Sequence, residues 1–390
     1  MPWTGVVEQR LKLVLAAESG EEPMSWLCEA QAISRKTLYK WRKRYREEGV
    51  LGLLDRSSAP LRHGRATPET VAEKIVLLRL ARPSWGPRKI IAKLELEHPQ
   101  LDWPAPSTAG DILKKAGLVT ARGRRRRAPP SPFGLTVPER PNQVWAADYK
   151  GWIRLGDGSR CEPLTLTDGF CRYLLKLSCG AGTTEAEARP VFQAAFEAFG
   201  LPEAIRSDNG APFASTGVTG LTSLSVWWIK LGIRPERIDP GRPQQNGRHE
   251  RFHLTLLEAM KPPEPDRKAQ AERFAVFQND YNHERPHQAL GQLPPARFYK
   301  PSPRTLPAKP DEPDYPAEAA VRKVRGNGEI KWRGGLVHIS SALAGEAVAV
   351  EEDHAGEWRV RFYGHPLGVI DRKLNRLRRS TGPAPPPSNL

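Results

Sequence analysis

The sequence predicts an α/β protein in several parts: helical modules at the N-terminus, a mixed α/β core, and a small β-barrel at the C-terminus. Three observations carry this expectation. Apolar residues recur at helical spacing through residues 6–116, in short helices with plausible caps. From 142 the pattern changes to strands separated by Gly156-Asp157-Gly158 and Asp168-Gly169 turns, and then to alternating helices and strands. Beyond a Pro-rich stretch, five short β runs return between 321 and 362.

The first module is read as helices over 6–17, 24–28 and 34–45, with Ser34 as the N-cap of the third. Leu38, Trp41 and Tyr45 fall at i, i+3 and i+7 and face a core, while Arg35, Lys36, Lys40 and Lys43 point away from it. A short helix, a turn and a basic helix match a helix-turn-helix, whose second helix enters the major groove of double-stranded DNA. A solvated basic face is the plainer alternative. A second such unit is expected from helices over 68–81, 88–97 and 107–116, with Thr67 and either Ser107 or Thr108 as caps. Its reader would be 107–115, which carries Lys114.

Arg122 to Arg127, followed by a Pro-rich spacer, reads as a linker whose Arg124 and Arg125 track DNA; a nuclear-localisation run is the alternative. Strands are expected over 144–153, 164–168, 173–178, 204–207 and 233–238, and helices over 184–199, 243–260 and 268–283. The resulting division is 1–60 and 61–120 for the helix-turn-helix modules, 121–139 for the linker and 140–300 for the core. A second Pro-rich linker covers 301–320, the barrel 321–375 and a disordered tail 376–390.

Composition narrows the function. The 390 residues are 39% hydrophobic with 11 Trp, enough for several cores, which excludes a wholly disordered basic protein. Of the net charge of +16, most sits in residues 1–128, with 25 basic against 14 acidic side chains, so the N-terminal third is the first candidate for a polyanion partner. No apolar run reaches the ~18 residues of a membrane span, so a soluble cytoplasmic, nucleoid-associated protein without membrane partners is expected. Three of the four Cys fall between 161 and 179 with no His among them, and are read as reduced core thiols.

Three acids stand out. Asp148 interrupts an apolar strand, Asp208 follows a short strand, and Glu250 lies within a helix. Converging carboxylates repel one another unless divalent cations neutralise them, and oxygen-only ligands suit Mg²⁺ or Mn²⁺, with two ions expected. Each acid also has an ordinary reading: an ion pair for Asp148, a turn cap for Asp208, a solvated helix position for Glu250. Asp168 is read as a hairpin residue, and His249 as packing or meeting phosphate.

The series Trp145-x-x-Asp148, Ser207-Asp208-Asn209-Gly210 and Pro243-Gln244-Gln245-Asn246-Gly247-x-x-Glu250 resembles the core of retroviral-integrase-type DDE transposases. Tyr281-Asn282-x-x-Arg285-Pro286-His287-x-x-Leu290 resembles the segment closing that core in bacterial insertion-sequence members. The resemblance implies a ribonuclease H-like fold, with Asp148, Asp208 and Glu250 as metal-binding catalytic residues. It further implies cleavage of element ends and strand transfer by an oligomer assembled on DNA. A metal-dependent nuclease and a DNA-binding regulator with an inert core are the competing readings. Gln245 and Asn246 would contact DNA near the helix start.

Between Asp208 and Glu250 lie 41 residues, more than integrase cores usually hold, and 215–225 is expected to absorb the excess as a loop. Related transposases often carry Lys or Arg two turns after the Glu, where this chain has Leu257. Lys261, expected in the last helical turn, or Arg251 is the candidate replacement.

Overall fold

The computed structural model describes residues 5–56, 67–119, 135–238, 247–354, 356–371 and 373–379, in two compact units, 1–68 and 69–390. In the first, α1 (Gly5–Ser19), α2 (Met24–Ala30) and α3 (Arg35–Glu48) close over Val7, Val14, Leu27, Leu38 and Leu53. Trp41 and Tyr45 pack against this core from the side. Ser34 caps α3 as the sequence predicts, its Oγ accepting the Thr37 N–H at 3.1 Å. Glu18 on α1 binds Arg42 and Arg46 of α3 at 2.8 and 2.9 Å, tying the two helices together.

The second unit begins with α4 (Glu69–Ala81), α5 (Pro87–Glu97) and α6 (Pro106–Lys115), packed around Ile75, Trp85, Ile90 and Leu113. Neither Ser107 nor Thr108 caps α6. Pro106 opens the helix after Ala105, because a proline lacks the N–H that a cap would satisfy, and the two hydroxyl residues fall inside the first turn.

The core follows: β1 (Val144–Tyr149), β2 (Ile153–Arg154), β3 (Arg160–Asp168), β4 (Leu174–Gly180), α7 (Glu185–Phe199), β5 (Ala204–Ser207), α8 (Ser223–Lys230), β6 (Arg234–Arg237), α9 (Gly247–Ala259) and α10 (Arg267–Asn279). β4, β3 and β1 pair antiparallel, and β1, β5 and β6 parallel, giving one mixed sheet. α7 and α8 cover one face through Phe192, Phe196 and Trp228, with Trp145 beneath them. α9 and α10 supply Phe252, Leu256 and Phe274 to a second cluster, with Leu155, Cys161 and Leu174.

Several details depart from the sequence reading. The strand expected over 144–153 breaks at Gly151, where φ is 84°, and resumes one register step over. Tyr149 pairs with Leu164 and Ile153 with Cys161, so four steps on one strand match three on the other, as in a bulge. The loop expected over 215–225 ends instead at a capping box, in which the Thr222 and Ser225 side chains each accept the other's N–H, and α8 begins at Ser223. α9 ends at Ala259, so Lys261 lies beyond the helix rather than in its last turn. Cys161 and Cys179 form a disulfide, since β3 and β4 bring them side by side; Cys28 and Cys171 are free and buried.

At the C-terminus, β7 (Ala320–Lys323), β10 (Ala347–Glu352), β11 (Trp358–Phe362), β12 (His365–Asp371) and β13 (Arg376–Arg378) form an antiparallel sheet in the order β13-β12-β11-β10-β7. The hairpin of β8 (Glu329–Trp332) and β9 (Gly335–His338) contributes Ile330 and Val337 to the same core as Val348 and Phe362. Strand pairing does not close this sheet into the expected barrel among the described residues: the hairpin shares the sheet's apolar core without joining its ladder. β13 occupies residues expected in a disordered tail, and Leu377 anchors it in the core. Among the described residues no helix is long and apolar enough to cross a membrane.

Candidate active site

Register brings the acids together. β1 and β5 run parallel with Val144 opposite Ala204, Trp145 opposite Ile205 and Ala146 opposite Arg206. Two residues further on stand Asp148 and Asp208, on neighbouring strands whose spacing is about 4.8 Å. Alternation puts Trp145 and Ala147 into the core under α7 and α8 and turns Asp148 to the opposite face, where α9 crosses. Glu250 sits in the first turn of α9 and is exposed.

Both other acids act on Asp148. Burial pushes the Asp148 carboxyl up to about 7; Asp208 adds to the rise, and so, less strongly, does Glu250. The Tyr149 N–H and the Lys150 ammonium pull the other way. Asp208 is held by its own loop: the Gly210 N–H donates to Oδ1 at 3.1 Å, and Asn209 Nδ2 donates to the Ile238 carbonyl at 2.8 Å. A Cβ on Gly210 would lie 3.1 Å from Asp208 Oδ2, so the close turn favours glycine.

A layer the sequence reading missed lies behind Asp148. Thr165 of β3, paired with Asp148, donates its hydroxyl to the Asp148 carbonyl at 2.9 Å. The same Oγ1 meets His249 Nε2 at 2.6 Å and His253 Nε2 at 2.9 Å. With the Thr165 proton committed to the carbonyl, both imidazoles present Nε2–H to the oxygen. Burial keeps both rings neutral, driving His249 well below its usual range and His253 to about 3. Asp148, His249 and His253 offer ligand atoms within 4.8 Å of one another, but Thr165 and Thr167 already occupy ring nitrogens of His249, and Thr165 one of His253. The cluster therefore suits a buttress for Asp148 better than a metal cage. The i, i+4 histidine pair on α9 and the alternating threonines on β3 were the legible signal.

Asp168 forms a turn, accepting the N–H groups of Phe170, Cys171 and Asn142 at 3.0, 2.8 and 2.7 Å. Asn142 in turn accepts from Trp145 Nε1 and Tyr299 Oη at 2.9 and 2.8 Å, fixing the start of β1. Of the expected DNA contacts, Arg35, Lys36, Lys40 and Lys43 are exposed on α3, beside the exposed ring of Tyr39. Lys114, Arg251 and Lys261 are exposed as well. Arg124, Arg125, Gln245 and Asn246 lie outside the described residues.

Comparison with known proteins matches several families to successive, partly overlapping segments of the chain. A helix-turn-helix domain family matches residues 9–60 and a homeodomain-like family 37–113. Integrase core domain families match 138–243 and 231–295, and the C-terminal domain of IS481 family transposases matches 319–377. The uncharacterized 31.7 kDa protein of insertion element IS407 from Burkholderia multivorans is 28% identical over 59% of this chain and 80% of its own length. The uncharacterized 39.2 kDa protein of insertion element IS476 from Xanthomonas euvesicatoria is 28% identical over 60% of this chain and 66% of its own. Among solved structures, a chain of the simian T-cell lymphotropic virus intasome in complex with PP2A regulatory subunit B56 gamma covers 80% of this chain and 99% of its own at 17% identity, with a TM-score of 0.37. Helix-turn-helix, integrase-core and IS481-type transposase segments thus follow one another along a single polypeptide, and these matches, with the insertion-element relatives, support a bacterial insertion-sequence transposase with an integrase-type core.

Proposed function

We propose that this transposase binds the terminal inverted repeats of its element, cleaves the DNA there and joins the freed 3′ end to target DNA, with Asp148, Asp208 and Glu250 as the catalytic residues. The observation carrying this reading is the alignment of Asp148 with Asp208 on adjacent parallel strands, with Glu250 close enough to add to the charge that disfavours ionised Asp148. Such a set of oxygen donors fits Mg²⁺ or Mn²⁺. The three carboxylates would hold one or two of these ions, which when bound polarise the phosphodiester and activate the attacking oxygen.

The protein's own groups do the positioning. Gly210 N–H orients Asp208, while Thr165, with the His249 and His253 rings behind it, fixes the strand that carries Asp148. Arg35, Lys36, Lys40 and Lys43 present a cationic face for phosphates, and Tyr39 among them offers a flat apolar surface to the groove. In this reading residues 1–60 and 61–120 recognise the ends, 140–300 carry the chemistry, Arg251 approaches DNA beside Glu250, and Lys261 does so farther along, past the end of α9. Two ends must be joined, so the working form is an oligomer assembled on DNA.

The test uses a duplex bearing the inverted repeats that flank the coding sequence. Asp148→Asn, Asp208→Asn and Glu250→Gln should each abolish nicking and joining while leaving duplex binding within about twofold. Strand transfer by any of the three variants at more than a few per cent of wild type overturns the assignment. Nicking without joined product by the wild-type protein would make it a nuclease instead.

A further inference from the structure

Within the second unit, the helical module formed by α4, α5 and α6 is fastened to the core by two ion pairs. Arg82 meets Asp280, and Lys93 meets Glu284, both acids belonging to the π-turn Asp280–Glu284 that follows α10. Lys89 lies one helical turn before Lys93 on the same face of α5, so it too points into this seam. It is half-buried there, and the charges acting on it come from Arg285 after the π-turn, Arg251 on α9 and Arg172 in the β3–β4 turn. Glu258 is the anion acting on it. Arg82 and Lys93 have their partners; among the described residues, Lys89, Arg172, Arg251 and Arg285 form no ion pair. His287 lines the same seam, 7% exposed, with a buried Nε2 that has no hydrogen-bond partner, and its ring feels Lys89, Arg285 and Arg172.

Four cations from four separate elements, three of them acting on an imidazole whose buried Nε2 has no partner, are offset only by Glu258 and by Asp280, which Arg82 already engages, an arrangement that costs free energy until an anion enters. Arg251 follows Glu250 directly on α9, so one cation of the seam lies next to a proposed catalytic residue along the helix. We propose that this seam is a phosphate-binding site which grips the DNA backbone next to the reacting strand, with Lys89, Arg172, Arg251 and Arg285 as its ligands. The proposal rests on the DNA-processing reading above, but its test is one of binding and does not depend on catalysis.

Full-length protein is titrated with a duplex of arbitrary sequence in EDTA over a range of salt concentrations. Lys89→Gln and Arg285→Gln should each weaken binding three- to tenfold and flatten the log–log salt dependence by about one. Lys89→Arg should restore both. Because the native cluster is self-repulsive, Lys89→Gln should melt no lower than wild type, which separates a lost contact from a damaged fold. Wild-type affinity and slope in both glutamine variants would overturn the proposal. So would millimolar inorganic phosphate that raises the melting temperature of wild type but not of Lys89→Gln while duplex affinity stays equal, since the site would then serve a small anion. Loss of strand transfer in the triad variants with normal seam behaviour, or the reverse, tells the two readings apart.

Discussion

The Asp208 carboxylate shows how much a single backbone position contributes to this site. Gly210 donates its N–H to that carboxylate and leaves the space in which the oxygens rest. A methyl group there would sit 3.1 Å from Oδ2, so Gly210→Ala should displace the carboxylate by a few tenths of an ångström. Such a shift is small for stability and large for a reaction that depends on alignment. We expect a roughly tenfold loss of DNA nicking with a melting temperature close to wild type; unchanged nicking would show that the Asp208 position tolerates the shift. Asp148 illustrates a different dependence. Its chemistry is read from a carboxylate, but its placement rests on Thr165, His249 and His253, none of which touches DNA in this reading.

Elements are joined by contacts that can be tested one at a time. Asn282, buried in the π-turn Asp280–Glu284 that follows α10, accepts the Leu174 N–H at 2.8 Å and donates to the Leu174 carbonyl at 2.9 Å, pairing with β4 as a strand would. Gln278 also donates to that carbonyl at 3.0 Å, so Asn282→Ala orphans the N–H alone. The expected cost is about 1–3 kcal/mol in thermal or denaturant unfolding; a neutral substitution would mean that the strand edge finds water. In the N-terminal unit the tie is ionic. Hydrogen bonds from Arg42 and then Arg46 hold Glu18 down to about 2. A lowered carboxyl pKa stabilises the fold at pH above the unfolded value, near 4.5, and the contribution fades as pH falls toward 2. Amide exchange in α1 and α3 should therefore be faster in Glu18→Gln than in wild type at pH 6, and the difference should vanish near pH 2. A gap that persisted at pH 2 would assign the effect to packing.

At the scale of the whole molecule, the proposed hold on DNA is electrostatic and can be measured as a salt dependence. The first unit offers Arg35, Lys36, Lys40 and Lys43 on one exposed helix, and each phosphate contact adds roughly 0.9 to the slope of log affinity against log salt. Removing residues 1–68, a compact unit of its own, should lower duplex affinity and flatten that slope by about 3–4. A truncated protein with the full slope would place the electrostatic contacts in the second unit, and an equal loss of specificity and slope would show that α3 both reads and anchors.

Local signals made much of this protein legible. Ser34 before a basic amphipathic run marked α3, and the Asp168-Gly169 turn marked the β3–β4 hairpin. Asp148 was conspicuous because a charge in an apolar strand needs a reason. Other features depend on partners far apart in sequence. The Gly- and Thr-rich approach to α8 read as loop because its helix is capped by two hydroxyl residues and held by a sheet the sequence does not display. β12, with Pro366 and Gly368 inside it, is not among the strands the sequence predicts; Gly368, at a φ of 145°, fits because the Arg378 carbonyl of β13 leaves no room for a Cβ. The disulfide likewise followed from strand pairing, which spacing along the chain cannot specify. The sequence by itself determined the order of the modules, the three acids and the basic face of α3, because composition, periodicity and capping are local. Tertiary structure alone decided that Asp148 and Asp208 stand on adjacent strands, that two histidines stand behind Asp148, and that Lys93 of α5 meets Glu284 beside Lys89, because sheet pairing and helix docking bring together residues that no local pattern links.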